Sequence, residues 1–597
     1  MERYSRAPAY GMAAPDTVVA IDFGTTRSAC GYQVRGEADD KVLVRLPGTA
    51  AASPSSTMKT ETVALIGGRG RGDLISFGPA ALDDYAEGDH SADHALFRWF
   101  KIDLCESRPG HTSAGRVMTK SMGGHTVPLL GVMTASLKYF KEDVLGFLSS
   151  TASRTVRATS INWVVTVPAI YDDFAKRFMR EAAFAAGMID RVNSPKLRLC
   201  LEPEAACLAA TKDNPLTNEA EGKKMMIIDC GGGTVDVTAH EVVSVEPLVL
   251  EEVAAPDGGV FGSTCVDDEF KTWLKSFLGE WFAEVEHSPT LVAIMRNWES
   301  KKSTFEGGGL VRLKLSDIAS EIGMTKQDVE DARTRYNAGK ASANRVAGSG
   351  FMVNLPATLV TSFFTPTLQK IAKCLRRIRH DSSLRNLHRV YVVGGFSRCP
   401  LLREVVKAEL DQQGCSVVQV HEPDVTIVKG AVMYFDKSTV FHSRKARLTY
   451  GTSVATRFDS SNAEHRRRRE DGQAGEDEEG VLHVYGKFDV FIKQGDNLPV
   501  GGVLERFSRL PLKKDQETSE VVVYATSDRS PRFVSERGCF EVGRLSISFD
   551  MTKEYNERAF RVEFTFGGPE LTVKILHGTE EREIADAVMT MSRAPQL

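Results

Sequence analysis

The sequence predicts an α/β protein with two similar lobes followed by a β-rich region, and three observations carry that prediction. A strand-turn unit occurs twice, as VAIDFGTT ending at Thr26 and as MIIDCGGGT ending at Thr234. A third apolar run, VYVV at 390–393, enters another glycine turn at Gly394-Gly395. Beyond about residue 441 the texture changes to short alternating segments, as at 488–492 and 521–524, which is β patterning. Apolar strands alternating with helical stretches imply sheets covered by helices, with a ligand at the carboxyl ends of the strands.

Taken in order, residues 1–16 read as a flexible tail, and 17–23 (TVVAIDF) as a buried strand closing on Gly24-Thr25-Thr26. Leu137, Phe140, Val144 and Leu148 recur at helical spacing before the strand INWVVTV at 161–167, which Pro168 ends. A helix follows over 173–187, then the strand KMMIID at 224–229 and Gly231-Gly232-Gly233-Thr234. After the third turn, Pro400 suits the first turn of a helix. A last helix over 424–437 closes this part. The expected division is therefore 17–440, with lobes at 17–223 and 224–423, and a β-rich domain over 441–597. Within that domain the run NAEHRRRREDGQAGEDEE places a charged, disordered loop at about 460–480, and 580–591 reads as a short helix.

Composition bounds the function classes. At 597 residues the chain exceeds one hydrophobic core. A net charge of −4, with 42% hydrophobic and 26% charged residues, is that of a globular protein and names no nucleic-acid partner. Ten cysteines without a CxxC pair predict neither a zinc site nor a disulfide framework. No run of eighteen apolar residues predicts a membrane span. The expectation is a cytoplasmic protein, with a mitochondrial leader as the alternative because the start is arginine-bearing and acid-poor.

A phosphate tail needs converging backbone N–H groups, small residues that let the backbone approach, and hydroxyls to finish the shell. Gly24, Thr25 and Thr26 offer that set, and Gly231, Gly232, Gly233 and Thr234 offer it again. Asp22 and Asp229 precede the two turns at buried strand ends. An unpaired carboxylate there is costly, so hydrated magnesium is a natural partner; a capping role in the turn is the other reading.

The segments VAIDFGTTRSACGY, VVTVPAIYDDFAKRFMREAAFAAGM, LCLEPEAACLAA, MIIDCGGGTVDVT and VYVVGGFSRCPLLREVV resemble, in order and spacing, the nucleotide-binding domain of the heat-shock-seventy chaperones, within the actin and sugar-kinase superfamily. In detail they are similar to the divergent, lid-lacking A-twelve branch. The resemblance implies an actin-like domain of duplicated ribonuclease-H-like sheets that binds ATP or ADP with Mg2+. It implies that Gly24, Thr25 and Thr26 hold the terminal phosphates from one lobe, and Gly231, Gly232, Gly233 and Thr234 from the other. Asp22 and Asp229 would order magnesium through its waters, while Asp229, Asp236 and Glu202 would orient the attacking water. Lys101 matches a lysine that reaches the terminal phosphates, with a solvated surface lysine as the alternative. Gly394, Gly395 and Arg398 match the adenosine turn, and Glu299 and Lys302 the ribose and base contacts, with a surface ion pair as the other reading of the last two.

Three departures bear on function. Arg27 replaces an aromatic residue, Phe396 replaces a small polar one, and neither the acidic, leucine-rich linker nor the helical lid of the chaperones is found. The leading expectation is a slow ATPase whose nucleotide state controls a protein client or signalling partner held by the C-terminal domain. The alternatives are a nucleotide-sensing adaptor with little hydrolysis and, less well matched, a sugar or metabolite kinase. Client, process and oligomeric state are not legible.

Overall fold

The computed structural model describes residues 5–6, 17–34, 42–48, 58–87, 93–105, 112–113, 116–152, 155–410, 415–505, 509–511, 513–566, 568–577, 583–585 and 590–591. Strands β1 (Thr17–Asp22), β2 (Arg27–Val34), β3 (Leu43–Arg45), β4 (Asn162–Val167) and β5 (Leu197–Leu201) form one sheet in the order β3-β2-β1-β4-β5. β1 runs antiparallel to β2 and parallel to β4. Strands β6 (Lys224–Cys230), β7 (Val235–Val245), β8 (Leu248–Gly259), β9 (Leu387–Val393) and β10 (Ser416–Gln419) follow in the order β8-β7-β6-β9-β10, with β6 antiparallel to β7 and parallel to β9. The two sheets thus share strand order and direction. The central strand of each, β1 or β6, carries an aspartate at its carboxyl end.

Nine helices matter for what these sheets position. They are α1 (Leu129–Thr151), α2 (Asp173–Ala185), α3 (Glu202–Asp213), α4 (Thr264–Leu278), α5 (Pro289–Ser303), α6 (Ala357–Arg379), α7 (Pro400–Leu410), α8 (Thr426–Lys437) and α9 (Ala463–Glu470). Local signals fix their starts: the Asp172 carboxylate accepts from Ala175 N, and Pro289 occupies the first turn of α5. α1 and α2 cover the first sheet and α4 to α6 the second, each over its own apolar core. Between the sheets lies a third core, in which Val18 and Ala20 of β1, Met225 and Ile227 of β6, Ala205 and Ala206 of α3, and Val428 and Ala431 of α8 meet. There α3 and α8 touch backbone to backbone, since a Cβ on Gly430 would overlap the Ala205 carbonyl.

After α8 the chain does not leave the second sheet. β11 (Phe441–Lys445) pairs parallel with β8, and β14 (Asn497–Pro499) pairs antiparallel with β11. The expected boundary near residue 440 therefore precedes a strand that by pairing extends the second sheet. Beyond it, β12 (Thr449–Arg457), β13 (Leu482–Ile492), β16 (Thr518–Thr526) and β17 (Phe540–Ser548) form one sheet, in the order β13-β12-β16-β17. β15 (Gly502–Glu505), β18 (Phe560–Phe566) and β19 (Leu571–His577) form another. Inward residues of both, among them Phe491, Val523, Leu545, Phe564 and Ile575, make one core.

Two sequence expectations are corrected here. The charged run at 460–480 is not a disordered loop: Asn462 caps α9, and the Arg468 guanidinium is buried over the Phe533 ring at 3.7 Å while bonding Gln473 and the Tyr485 carbonyl. Arg468 finds its ring far along the chain and Arg469 stands over Phe458, which a charge count cannot reveal. The expected helix at 580–591 is absent among the described residues, where 583–585 and 590–591 are strand. Of the expected flexible tail, Ser5–Arg6 pairs with Val503 and Gly502, and the other residues of 1–16 lie outside the described residues.

The α3–α8 contact gives a test by denaturant unfolding. Gly430→Ala should cost about 3 kcal/mol because backbone cannot yield to the added methyl. Gly146→Ala, in open space within α1, should gain about 0.5–1 kcal/mol.

Candidate functional site

The equivalent turns after β1 and β6 face each other across a cleft of about 470 Å³. Their approach is close: a Cβ on Gly232 would overlap the Thr26 side chain, and one on Gly233 would stand 2.5 Å from Thr25 Oγ1. Each turn is tied from behind. Thr62 N donates to Thr26 O at 2.9 Å, and Thr62 Oγ1 donates to Gly24 O at 2.8 Å. The carbonyls of Gly231, Gly232 and Gly233 accept from the amides of Ser263, Thr264 and Gly262, where α4 begins. The carbonyls of Gly24, Thr26 and the three glycines of the second turn are thereby spent on the protein.

Four carboxylates gather at this junction. Asp22 is buried, with Oδ1 accepting from Thr166 Oγ1 at 3.1 Å and Oδ2 from Lys59 Nζ at 2.6 Å. Asp229 is equally buried, and its Oδ1 has no hydrogen-bond partner. Burial pushes the Asp229 carboxyl well above the usual range, and the charges of Glu202, Asp236 and Asp22 push the same way against Lys59. Glu202 opens α3 and accepts from Lys101 Nζ at 2.7 Å. Burial raises its carboxyl to about 7 in spite of that lysine.

Lys101 is thus a buried ion-pair partner on the cleft wall, not a solvated surface lysine. Asp236 alone among the expected site residues does not line the cleft. It is fully buried behind the turn, with Oδ1 accepting from Ile170 N at 2.9 Å and a hydrogen bond from Thr234. Burial raises its carboxyl as well, and its Oδ2 is unpartnered.

The opposite wall holds the remaining expected residues. Gly394, at φ +81°, has no room for a side chain because a Cβ would overlap Asp229 Oδ1 and the Cys230 carbonyl. Arg398 stands half exposed at the mouth, paired with Asp424 at 2.6 Å, and Gly395 lies beside that same aspartate. Glu299 and Lys302 do pair, but not as a surface couple: Lys302 is buried, and Asp267 also holds it, at 2.8 Å. Burial works against that ammonium, yet Asp267 and Glu299 together keep its pKa above the ordinary value.

Lys59, Thr62, Arg98, Asp267 and Asp424 also line the cleft and carry no sequence motif. Arg98 is close in the chain to Lys101, but the other four lie far from every turn, and nothing in the sequence marks them as wall residues. Among the described residues no group of three His, Cys, Asp or Glu side chains stands ready to hold a bare metal ion. No described helix is long and apolar enough to cross a membrane.

The raised carboxyl of Glu202 predicts a pH effect. Between its unfolded value and about 7 the folded state binds the extra proton, so this group's contribution to stability falls as pH rises through that window. Thermal melts from pH 5 to 8 should show the fall, and Glu202→Gln should make it shallower, Asp229 and Asp236 supplying the rest.

The Hsp70 protein family model matches residues 134–276, which hold β4, β5, most of α1 and the second glycine turn. The chain is 28% identical to Heat shock 70 kDa protein 12A of Homo sapiens over 602 residues, covering 90% of this chain and 85% of that protein. It is 28% identical to the Mus musculus protein of the same name, covering 89% of this chain and 84% of that one. Against Heat shock 70 kDa protein 12B of Homo sapiens it is 26% identical, covering 96% and 91%. The likeness to the A-twelve branch extends over nearly the whole chain.

Proposed function

We propose, for a chain that is heat-shock-seventy-like and of the A-twelve branch, that it binds ATP and ADP in the cleft and hydrolyses ATP slowly, with the nucleotide state governing a protein partner at the C-terminal domain. The observation that carries this is the meeting of two glycine-threonine turns whose carbonyls are tied behind them. Such turns can give their remaining backbone N–H groups and hydroxyls to one phosphate tail. In this reading the two sheets are the halves of an actin-like, duplicated ribonuclease-H-like domain.

Thr25 and Thr26 approach the tail from one side and Gly231 to Thr234 from the other. Lys101, already aimed by Glu202, reaches the terminal phosphate, and Glu202 with Asp229 accepts hydrogen bonds from the attacking water. Asp236 acts one step back, holding Thr234 in place. Gly394 and Gly395 let the backbone approach the nucleoside, Arg398 covers it, and Glu299 and Lys302 face the sugar. The buried, unpartnered Asp229 Oδ1 fits a hydrated magnesium ion, which Asp229 and Asp22 would hold through water. Bound there, magnesium would screen the phosphate charge.

Coupling to the C-terminal domain is supported by a short path of contacts. Ile170 N donates to Asp236, and the flanking carbonyls of Ala169 and Tyr171 accept from Arg447. Two residues into α3 from Glu202, Glu204 forms a buried bidentate pair with Arg444 of β11. Arg180 and Glu570 add a second bidentate pair across the same junction. A change in how Glu202 and Asp236 are held is therefore felt by segment 444–447 within two bonds. An adaptor with little turnover is the second reading, favoured by the Lys59 ammonium seated on Asp22.

Single-turnover hydrolysis with magnesium, with bound nucleotide measured in the same samples, tests both. Wild type should convert ATP without any sugar or polyol present, and Asp229→Asn should bind ATP but convert it about a hundredfold more slowly. Tight binding without turnover in the wild type selects the adaptor. Gly232→Val should abolish ATP binding while the circular dichroism spectrum is kept; unchanged affinity in that variant removes the cleft as the site.

A further inference from the structure

Resting on the nucleotide reading of the cleft, we infer that Lys59 is a resident cation of the phosphate site, so that nucleotide phosphates bind there with only weak dependence on a divalent ion. Lys59 Nζ lies 2.6 Å from Asp22 Oδ2, and the side chain is 13% exposed, on the wall of the cleft that holds both glycine turns. Asp424 and Asp229 face the same ammonium. Asp22 and Asp229 end the two central strands, and a triphosphate brought against them sets anion beside anion. Some cation must stand between them.

Lys59 already supplies one positive charge at that place, covalently tethered and partly desolvated, where it is screened far less than an ion in bulk water. A lysine ammonium has three donors on a flexible stem, so it can keep Asp22 and donate to a phosphate oxygen at once. Lys101 is paired with Glu202 and, in the reading above, serves the terminal phosphate rather than the strand-end aspartates. Both oxygens of Asp22 are engaged, by Thr166 and by Lys59, whereas Asp229 keeps a free oxygen. The two strand-end aspartates are therefore unequal: one is matched to an ammonium of the chain, the other to a cation that arrives with the ligand.

The probe is ATP, titrated calorimetrically into the full chain with magnesium and again with excess EDTA. For wild type, chelation should weaken binding about tenfold or less, because one charge-assisted contact remains. For Lys59→Met the same change should weaken it about a hundredfold or more, while Lys59→Arg keeps the wild-type ratio. Wild-type binding that vanishes in EDTA overturns the inference by itself, whether or not the variants fold. An equal ratio in wild type and Lys59→Met overturns it too. No binding by wild type in magnesium sinks the nucleotide reading instead, a result distinct from either.

Discussion

The Ala205 carbonyl lies where a side chain on residue 430 would have to go, and the cleft depends on that crowding. α3 and α8 are the layer between the two sheets, and their backbone contact sets how near β1 and β6 can come. Each of those strands ends in an aspartate and a glycine turn, so the spacing of two helices in the core becomes the spacing of the two turns. A wider crossing would separate Thr25 and Thr26 from Gly232 and Gly233, leaving two unremarkable strand ends. Close packing transmits such a displacement because an interior at crystal density has no slack to absorb it.

The electrostatics follow from the same geometry. Asp22, Glu202, Asp229 and Asp236 are drawn to one junction, and Lys59 and Lys101 are the ammonium groups that answer them there. Desolvation raises three of those carboxyls, and neighbouring carboxylates add to it for Glu202 and Asp229, so the site is held at an electrostatic cost by the core around it. Such tension is relieved by a ligand that brings cation and anion together, and it makes ligand-free and loaded forms differ in charge state as well as in occupancy.

What the sequence disclosed was whatever is local in the chain. The aspartates and glycine turns are each contained within nine residues, and the helix starts carry their own capping signals, so strands and turns were legible together. Lys59 and Thr62 were not, because nothing in SSTMKTETV distinguishes a residue that folds back on Asp22 or Gly24 from a polar linker. Lys101 and Lys302 were ambiguous for the same cause: burial and a partner decide a lysine's role, and their partners, Glu202 and Asp267, lie 101 and 35 residues away. Asp236 shows the converse: the resemblance implies a water-orienting role, whereas its carboxylate, across from Asp229 in the β6–β7 ladder, is fully buried and accepts from Ile170 N. In the arginine-rich run the Asn462 cap was local, but the burial of Arg468 over Phe533 was not, and a charge count reveals neither.

The pairing of β11 along β8 has one more implication. Leu250 and Glu251 are capped by Phe441 and Ser443, and β11 in turn by β14, so hydrogen bonds continue from the second sheet into the C-terminal strands. A protein cut after α8 would expose the flank of β8 as a bare template of amides and carbonyls, the kind of edge along which chains adhere to one another. Insolubility of a fragment ending near residue 440 would then report a torn sheet rather than a misfolded lobe. The seam at which this chain can be divided lies not where its composition changes but where its backbone pairing stops.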